Sequence, residues 1–498
     1  MKLQLPTLDL QLPWDRLILG SLLGGAALLC YSPVLGSYFV SDDFVFLARA
    51  HDPWLSLGAL DERWFRPLVL AFWKLTVEQF GDSVVAHHFC NLVVHLLNCV
   101  LLYLLGRVLL KSEESGLLAA GIFCLFPIHP EAVSWLSGRF DLLCGFFYLM
   151  SLLLLTRYLE SEKKSWLGLS ALGCLLALLS KEMALSLPLV AFAVVRLRRS
   201  DFSSRQVAGS LWPFFALALL FLAVRFSVVG SLGGYAIQFR LSWSSLRLLW
   251  SPLEVLFFPW NTDLLDSPFR LAGLLFPVVT AFHLGALSQL RTSPRTTALC
   301  VLLLYLTALP LLNLAKVYPN LQDSRYYYVP GAVFALWLAS SMVAMRDRRI
   351  VIPVYLAALA VLLFAHNFPW REAGKRSHAI VQELARLPAE PKRLDGVPDH
   401  YLGAYIFRNG LDLVERTVPE VGGESAGGPS NRLPGGESVS RKLRFTAGPG
   451  CGSKGNSCTL QVQGSRSGIW NPQSTRIHQP CRRIRFFFTS ELTWAVPT

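Results

Sequence analysis

Apolar runs of about 20 residues, the length that crosses a bilayer as a helix, recur along this chain with short polar breaks between them. They lie near 17–36, 87–110, 117–136, 140–158, 165–180, 183–196, 207–229, 270–290, 296–316, 327–345 and 350–366. The pattern predicts an all-α polytopic membrane protein with about eleven transmembrane helices. The runs 165–180 and 183–196 are short, with almost no loop between them. Two further stretches read as interfacial helices. Residues 65–80 open with Pro67 at a helix-starting position and mix Trp73 with Lys74 and Glu78. Residues 243–260 carry three Trp, a residue of the membrane interface.

The polar breaks are of two kinds. One set carries basic clusters: Lys2 and Arg16, Arg107 with Lys111, Arg157 with Lys163 and Lys164, then Arg196, Arg198, Arg199 and Arg205, Arg291 with Arg295, and Arg346, Arg348 and Arg349. The other set, 37–86, 128–139, 180–182, 230–269 and 317–326, is poorer in Lys and Arg by about threefold. Positive charge stays on the cytoplasmic side during insertion. The N-terminus is therefore expected in the cytoplasm, and the second set of loops, with everything beyond 367, outside. The first run has no small-residue cleavage site and reads as a retained helix. The chain contains no Asn-x-Ser/Thr glycosylation sequon, which suits a bacterial inner membrane. These features divide the chain into a transmembrane domain, 1–366, with a first external loop at 37–86, then a short extracytoplasmic segment, 367–417, then a tail, 418–498. The tail is rich in Gly, Ser, Pro and Arg without period. Such composition buries too little apolar surface to order itself and is expected to be disordered.

Composition agrees with this reading. Of 498 residues, 53% are hydrophobic and 16% charged, against about 25% charged in a soluble domain. The net charge of +13 does not indicate nucleic acid, because the basic residues sit in short clusters between apolar runs, without an aromatic-interleaved stripe. Seven cysteines, Cys30, Cys90, Cys99, Cys124, Cys144, Cys174 and Cys300, lie in or beside apolar runs, where thiols act as small hydrophobes. There is no C-x-x-C pair, so a zinc ribbon is not supported. His88 and His95 share a helical face but two histidines alone make no metal site, and they are read as helix–helix hydrogen-bonding groups.

Candidate chemistry falls on the external side. The first loop opens with Ser41-Asp42-Asp43-Phe44. Adjacent carboxylates repel, which raises the pKa of one toward the range of a general base. They also form an incomplete hard-cation site, so a divalent metal on Asp42 and Asp43 stays open. If helical, the two side chains diverge by about 100° and one faces the cavity; Asp43 is favoured. The second group is His129-Pro130-Glu131 followed by Gly138-Arg139-Phe140-Asp141. Ionisable groups at that depth usually face a cavity or a partner, and a local Glu131–Arg139 or Arg139–Asp141 ion pair is the plainer reading. The third is Ser180-Lys181-Glu182 between two apolar stretches. The fourth is Asp323-Ser324-Arg325 followed by Tyr326, Tyr327 and Tyr328. A guanidinium at a helix mouth suits a phosphate or pyrophosphate, and the tyrosines could line a lipid or sugar site.

Taken together, in this order and on one side of the membrane, these groups resemble the GT-C superfamily of membrane glycosyltransferases, over about residues 10–410. Within it the likeness is to protein O-mannosyltransferase and TMTC-type proteins and their bacterial relatives. It is carried by Asp42-Asp43, HPEAVSWLSGRFDLL (129–143), SKE (180–182) and DSRYYYVP (323–330). The resemblance implies a polyprenyl-phosphate sugar lipid as donor and inverting transfer to an acceptor, which can be protein, lipid or glycan. A first-loop Asp would act as base, with Arg325 or Lys181 near the leaving phosphate. Glu131, Arg139, Asp141, Glu182 and Tyr326 would support that site. A transporter or flippase of polyprenyl-linked lipids is the alternative. Ionisable residues gathered at one face, rather than at the midplane, favour chemistry.

Overall fold

The helix Val84–Leu110 turns its apolar side outward. Val85, Phe89, Val93, Leu97 and Val100 are 37–54% exposed, whereas His87, His88, Asn91, His95 and Asn98 on the other face are at most 4% exposed. A water-soluble helix does the reverse. In lipid the tails accept the apolar face, and polar groups must find partners inside the bundle. The helix Ser204–Val229 repeats the arrangement, with Trp212, Leu219 and Phe226 outside and Arg225 sealed inside.

The computed structural model describes residues 14–52, 65–230, 250–286, 294–311, 317–385, 392–395 and 397–414, with five short strands between 441 and 479. The helices are α1 (Trp14–Tyr31), α2 (Asp43–Ala50), α3 (Pro67–Phe80), α4 (Val84–Leu110), α5 (Glu113–Cys124), α6 (Pro130–Val133), α7 (Arg139–Ser161), α8 (Lys164–Ser180), α9 (Leu187–Arg198), α10 (Ser204–Val229), α11 (Ser251–Phe257), α12 (Phe276–Ala286), α13 (Pro294–Ala308), α14 (Tyr328–Val343) and α15 (Arg348–Ala385). Among the described residues five stretches are long and apolar enough to cross a bilayer: Val84–Leu110, Leu136–Ser161, Ser204–Val229, Ser324–Val343 and Arg348–Ala385. Ile18–Val34, Lys164–Ser180, Arg270–Gly285 and Thr296–Leu311 are shorter apolar helices. The chain is an all-α polytopic membrane protein.

Three expectations change. The run 117–136 is not one helix. α5 stops at Cys124, and Pro127 and Pro130 turn the chain through α6 and a 3-10 turn at Leu136–Gly138 into α7. Proline cannot donate to a helix interior and clashes with the preceding turn. The stretch reads as a span because all of 118–145 is buried in protein. The run at 183–196 gives a 3-10 turn at Glu182–Ser186 and the 12-residue α9. The last run, expected to end at 366, continues to Ala385 in a 38-residue helix, about 57 Å long. Its extra turns pack on the first loop: the Ser37 hydroxyl donates to Trp370 O at 3.1 Å and the Ser377 hydroxyl to Phe39 O at 2.7 Å.

α3 begins at Pro67 as expected, yet Trp73 is fully buried against Phe46, His87 and the Arg139 guanidinium rather than set at an interface. Of 243–260, residues 243–249 lie outside the described residues, and the rest contains α11. α4 packs on α5 and α7, and α7 on α8. At the α4–α5 contact a Cβ on Gly116 would lie 2.8 Å from Tyr103 O, so only glycine lets the backbones meet there.

Residues 1–381 and 400–417 form one unit, which includes the hairpin β2 (His400–Tyr401) and β3 (Ala404–Tyr405). The second unit, 382–399 with 418–498, contains β1 (Lys392–Asp395), β4 (Arg441–Ala447), β5 (Cys458–Gln463), β6 (Ser465–Arg466), β7 (Ile469–Trp470) and β8 (Ile477–Gln479). Its sheet runs β1-β4-β5-β8, with β1 and β4 parallel and the other pairs antiparallel. The disorder expected beyond 418 falls mostly on residues outside the described ones.

Candidate active site

The two first-loop carboxylates have separate environments. Asp43 opens α2 and is 1% exposed. Its Oδ2 accepts from Val40 N–H at 3.0 Å, and its Oδ1 accepts from Ser137 N–H at 2.8 Å and the Ser137 hydroxyl at 2.5 Å. Burial pushes this carboxyl up to about 7, against those hydrogen bonds and the nearby Arg139. Asp42, one residue earlier, is only half-buried. Its Oδ1 accepts from Asn409 Nδ2 at 2.7 Å. Burial raises its pKa, opposed by Asn409 and by Arg325, Arg408 and Arg66, which all act on it across space. The two side chains have separate partners, and it is Asp42 on which the charges of Arg325, Arg408 and Arg66 act. Asp43 ties the first loop to the turn before α7.

The HPE turn and the DSR stretch meet directly. Glu131, 2% exposed, pairs with the Arg325 guanidinium and accepts from Arg325 N–H at 3.0 Å, the Ser324 hydroxyl at 3.3 Å and Tyr405 Oη at 3.1 Å. Burial raises the Glu131 pKa, with the Arg325 charge pulling the other way. Arg325 also reaches Asp323 at 3.3 Å and has the rings of Tyr326 and Trp135 at 4.7 and 4.9 Å. The local pairs weighed from sequence, Glu131–Arg139 and Arg139–Asp141, are replaced by pairs across the fold. Arg139 instead lies 3.7 Å over the Trp73 ring and donates to Thr76 Oγ1 at 3.1 Å.

The SKE turn supplies the other two ion pairs. Lys181 Nζ donates to Asp141 Oδ1 at 2.6 Å, with both side chains at most 5% exposed. Burial lowers the lysine pKa and the aspartate opposes this. Glu182 accepts from Arg66 Nη2 at 2.6 Å and Nε at 3.1 Å, with Arg225 Nη1 at 3.9 Å. Burial acts to raise the Glu182 pKa, but Arg66 and Arg225 outweigh it and hold it at about 2. The Tyr326 ring has both Lys181 Nζ at 4.5 Å and the Arg325 guanidinium at 4.7 Å from its centre, so it takes cation–π contacts from both.

Sequence reasoning missed Arg66, Arg225, Tyr405, Arg408 and Asn409. Arg225 carried a signal, a lone arginine inside an apolar run, which is costly unless it meets a partner. The other four lie in polar segments where nothing distinguishes them. The segment 400–414 straps the first loop: Ser41 N–H donates to Ile406 O at 2.7 Å, and Phe407 stacks on Phe44 at 5.4 Å. A divalent-ion site on the acidic pair does not fit. Asp43 has both oxygens engaged by donors, and the positive charges of Arg325, Arg408 and Arg66 that act on Asp42 disfavour a cation there. A cavity of about 20 Å³ is lined by Glu131, Asn261, Asn320, Ser324 and His366 among others. It is too small for a sugar.

The family model described as dolichyl-phosphate-mannose-protein mannosyltransferase matches residues 66–229. That stretch includes Arg66, Glu131, Arg139, Asp141, Lys181, Glu182 and Arg225, and excludes Asp42, Asp43 and Arg325. The chain is 33% identical over 122 residues to the protein O-mannosyl-transferase Tmtc1 of Drosophila melanogaster, covering 24% of this chain and 14% of that protein. It is 25% identical over 171 residues to the undecaprenyl phosphate-alpha-4-amino-4-deoxy-L-arabinose arabinosyl transferase 2 of Proteus mirabilis, covering 32% of this chain and 30% of that protein. The chain thus spans less than a third of the length of these two relatives. Among solved structures, ArnT from Cupriavidus metallidurans bound to undecaprenyl phosphate aligns with a TM-score of 0.45 at 14% identity, over 80% of this chain and 87% of that one. Through the matched family segment and these relatives, all named as glycosyltransferases, the chain resembles the GT-C superfamily of membrane glycosyltransferases.

Proposed function

We propose that this chain is a membrane glycosyltransferase that moves a sugar from a polyprenyl-phosphate donor to an acceptor on the extracytoplasmic face, with inversion. The observation that carries the reading is the half-buried Asp42 carboxylate, held by Asn409 Nδ2 at 2.7 Å and acted on across space by the charges of Arg325, Arg408 and Arg66. Such a place holds a base and an oxyanion site within reach of one substrate. The acceptor O–H loses its proton to Asp42, and its oxygen attacks the sugar's anomeric carbon. The bond from that carbon to the phosphate oxygen breaks, and the phosphate leaves with the electron pair. Arg325, at 14% side-chain exposure the least covered of the three ion-paired cations Arg325, Lys181 and Arg66, stabilises the charge that develops on the leaving phosphate. Lys181 is sealed against Asp141 and acts by fixing Tyr326 and Arg325. Asp42 replaces Asp43 as the assigned base, because Asp43 is 1% exposed with both oxygens tied to Val40 and Ser137, whereas Asp42 is half-buried.

The relatives supply the substrate classes: mannose transfer to protein in one case, a pentose carried on undecaprenyl phosphate in another. The matching residues favour the polyprenyl-phosphate sugar as donor; a bacterial inner-membrane setting, with the N-terminus in the cytoplasm, and a protein, lipid or glycan acceptor belong to the same proposal. The test is transfer from a panel of radiolabelled polyprenyl-phosphate sugars by the purified chain in lipid. Asp42→Asn should abolish turnover while retaining donor binding, and Asp43→Asn should retain turnover in whatever fraction folds. Donor movement between leaflets, indifferent to Asp42→Asn and without transfer, would establish the flippase instead.

A further inference from the structure

The strap at 400–414 brings a second arginine to the oxygen that Arg325 reaches. Arg408 Nη1 donates to Tyr405 Oη at 3.1 Å, and Arg325 Nη1 donates to the same oxygen at 3.3 Å. Both guanidinia also lie against the Tyr405 ring, 5.2 and 5.9 Å from its centre. Tyr405 itself is held firmly. It is 1% exposed, and its ring meets Trp135 at 4.9 Å and Trp370 at 5.9 Å. Its hydroxyl donates to Glu131 Oε1 at 3.1 Å, with Asp323 Oδ1 at 3.4 Å. Two like charges thus converge on one neutral oxygen, with Arg408 exposed and Arg325 in part. Like charges held this close repel, and an anion within reach of both would relieve the repulsion. Glu131 and Asp323 are ion-paired with Arg325.

We propose that Arg408 joins Arg325 in a two-guanidinium clamp on the phosphate of the sugar lipid, an inference that rests on the function proposed above. The donor phosphate is a diester with one negative charge. When the bond from the anomeric carbon to the phosphate oxygen breaks, the electron pair stays on that oxygen. The phosphate becomes a monoester, with a charge near −2. Arg325 already faces two carboxylates, Glu131 and Asp323, so it meets the second charge poorly on its own. A second guanidinium reaching the same point supplies what the first lacks. Guanidinium groups suit phosphate because their planar N–H pairs match its oxygens. No bond forms to Arg408, which answers charge as it develops on the leaving group. Arg408 is also coupled to the proposed base. The next residue, Asn409, donates to Asp42 Oδ1 at 2.7 Å, and the charges of both clamp arginines act on Asp42. One strap therefore carries the group that orients the base and a group that receives the phosphate. Arg408 lies outside the matched family segment, residues 66–229.

The test uses the full chain in lipid nanodiscs, with Arg408→Gln and Arg408→Lys beside wild type. Binding of undecaprenyl phosphate, with undecaprenol as the uncharged control, comes first because it needs no turnover. Arg408→Gln should bind the phosphate about tenfold more weakly, Arg408→Lys should recover part of the loss, and undecaprenol should not distinguish the three. In transfer from polyprenyl-phosphate sugars, Arg408→Gln should lower kcat about a hundredfold with the acceptor KM unchanged. Limited proteolysis within 400–414 should match wild type, which separates a lost clamp from a loosened strap. Should the Gln variant loosen the strap, the salt dependence of phosphate binding by wild type and Arg408→Lys decides: a clamp weakens steeply with salt in both. Phosphate binding by a folded Arg408→Gln equal to that of wild type overturns the proposal. So does a change confined to the acceptor KM, which would assign the arginine to an anionic acceptor. Phosphate binding that depends on Arg408 without transfer of any sugar would sink the proposed function and leave the clamp standing.

Discussion

Glu182 is the point where a single atom change should cost the most stability. Its carboxylate is held by Arg66 at 2.6 and 3.1 Å, with Arg225 at 3.9 Å. Its pKa lies at about 2 instead of the ordinary 4.5, because Arg66 and Arg225 outweigh burial. At about 1.4 kcal/mol per pH unit, that displacement corresponds to about 3 kcal/mol. Removing one partner of a buried ion pair costs about 3–5 kcal/mol by itself. Glu182 keeps 17% of its side chain exposed, which places the expected loss at the lower end of that range. A carboxylate held below its unfolded pKa stabilises fully above about pH 4.5, and the contribution drains as pH falls toward about 2. Glu182→Gln should therefore unfold at lower temperature than wild type at pH 7, in detergent, followed by tryptophan fluorescence. The gap should close as both are acidified below about pH 4.5. The double variant Arg66→Met with Glu182→Leu should recover part of the loss, since well-packed apolar groups can replace a buried pair. Equal stability of Glu182→Gln and wild type at pH 7, or a gap that does not narrow in acid, would refute the reasoning.

Asp43 titrates with the opposite sign: its folded pKa of about 7 lies above the ordinary 3.8, so its contribution is full below about pH 4 and is lost as pH rises through 7. Asp43→Asn should flatten the wild-type decline over that window in the same melting assay, at a cost of about 1–3 kcal/mol for the donor it leaves facing Val40 N–H. Asn409→Ala removes the amide that lowers the Asp42 pKa, so the acid limb of the transfer rate against pH should move upward. Gly410 has φ +83°, and a Cβ there would lie 2.6 Å from Ser41 O. Gly410→Ala should cost about 1–2 kcal/mol and raise the rate of limited proteolysis within 400–414.

The membrane-spanning character was legible because lipid imposes a requirement that a linear pattern records: every long run must be apolar on its outer face. The same logic misread 117–136, where protein rather than lipid surrounds the chain and Pro127 and Pro130 break the helix. The four polar motifs were legible as costly charges at bilayer depth. Their partners were not. Arg139 and Asp141 look like a local pair in sequence, yet helix geometry sends them to Trp73 and Lys181. What gives Asp43 surroundings unlike those of Asp42 is Ser137, 94 residues away, and no local pattern could supply that.

The strap over the first loop also sets an order in time. Asp42 leaves the ribosome early, but the residue that orients it, Asn409, follows 367 positions later. Ser41 N–H and the Phe44 ring likewise wait for Ile406 and Phe407. A nascent chain thus carries its acidic loop through most of synthesis without the contacts that complete it. On the proposed function, a sugar lipid in the same membrane would meet a finished base only once residues near 410 have emerged and folded back. Truncated products of this chain, inserted and correctly oriented, would be silent bystanders rather than uncontrolled transferases.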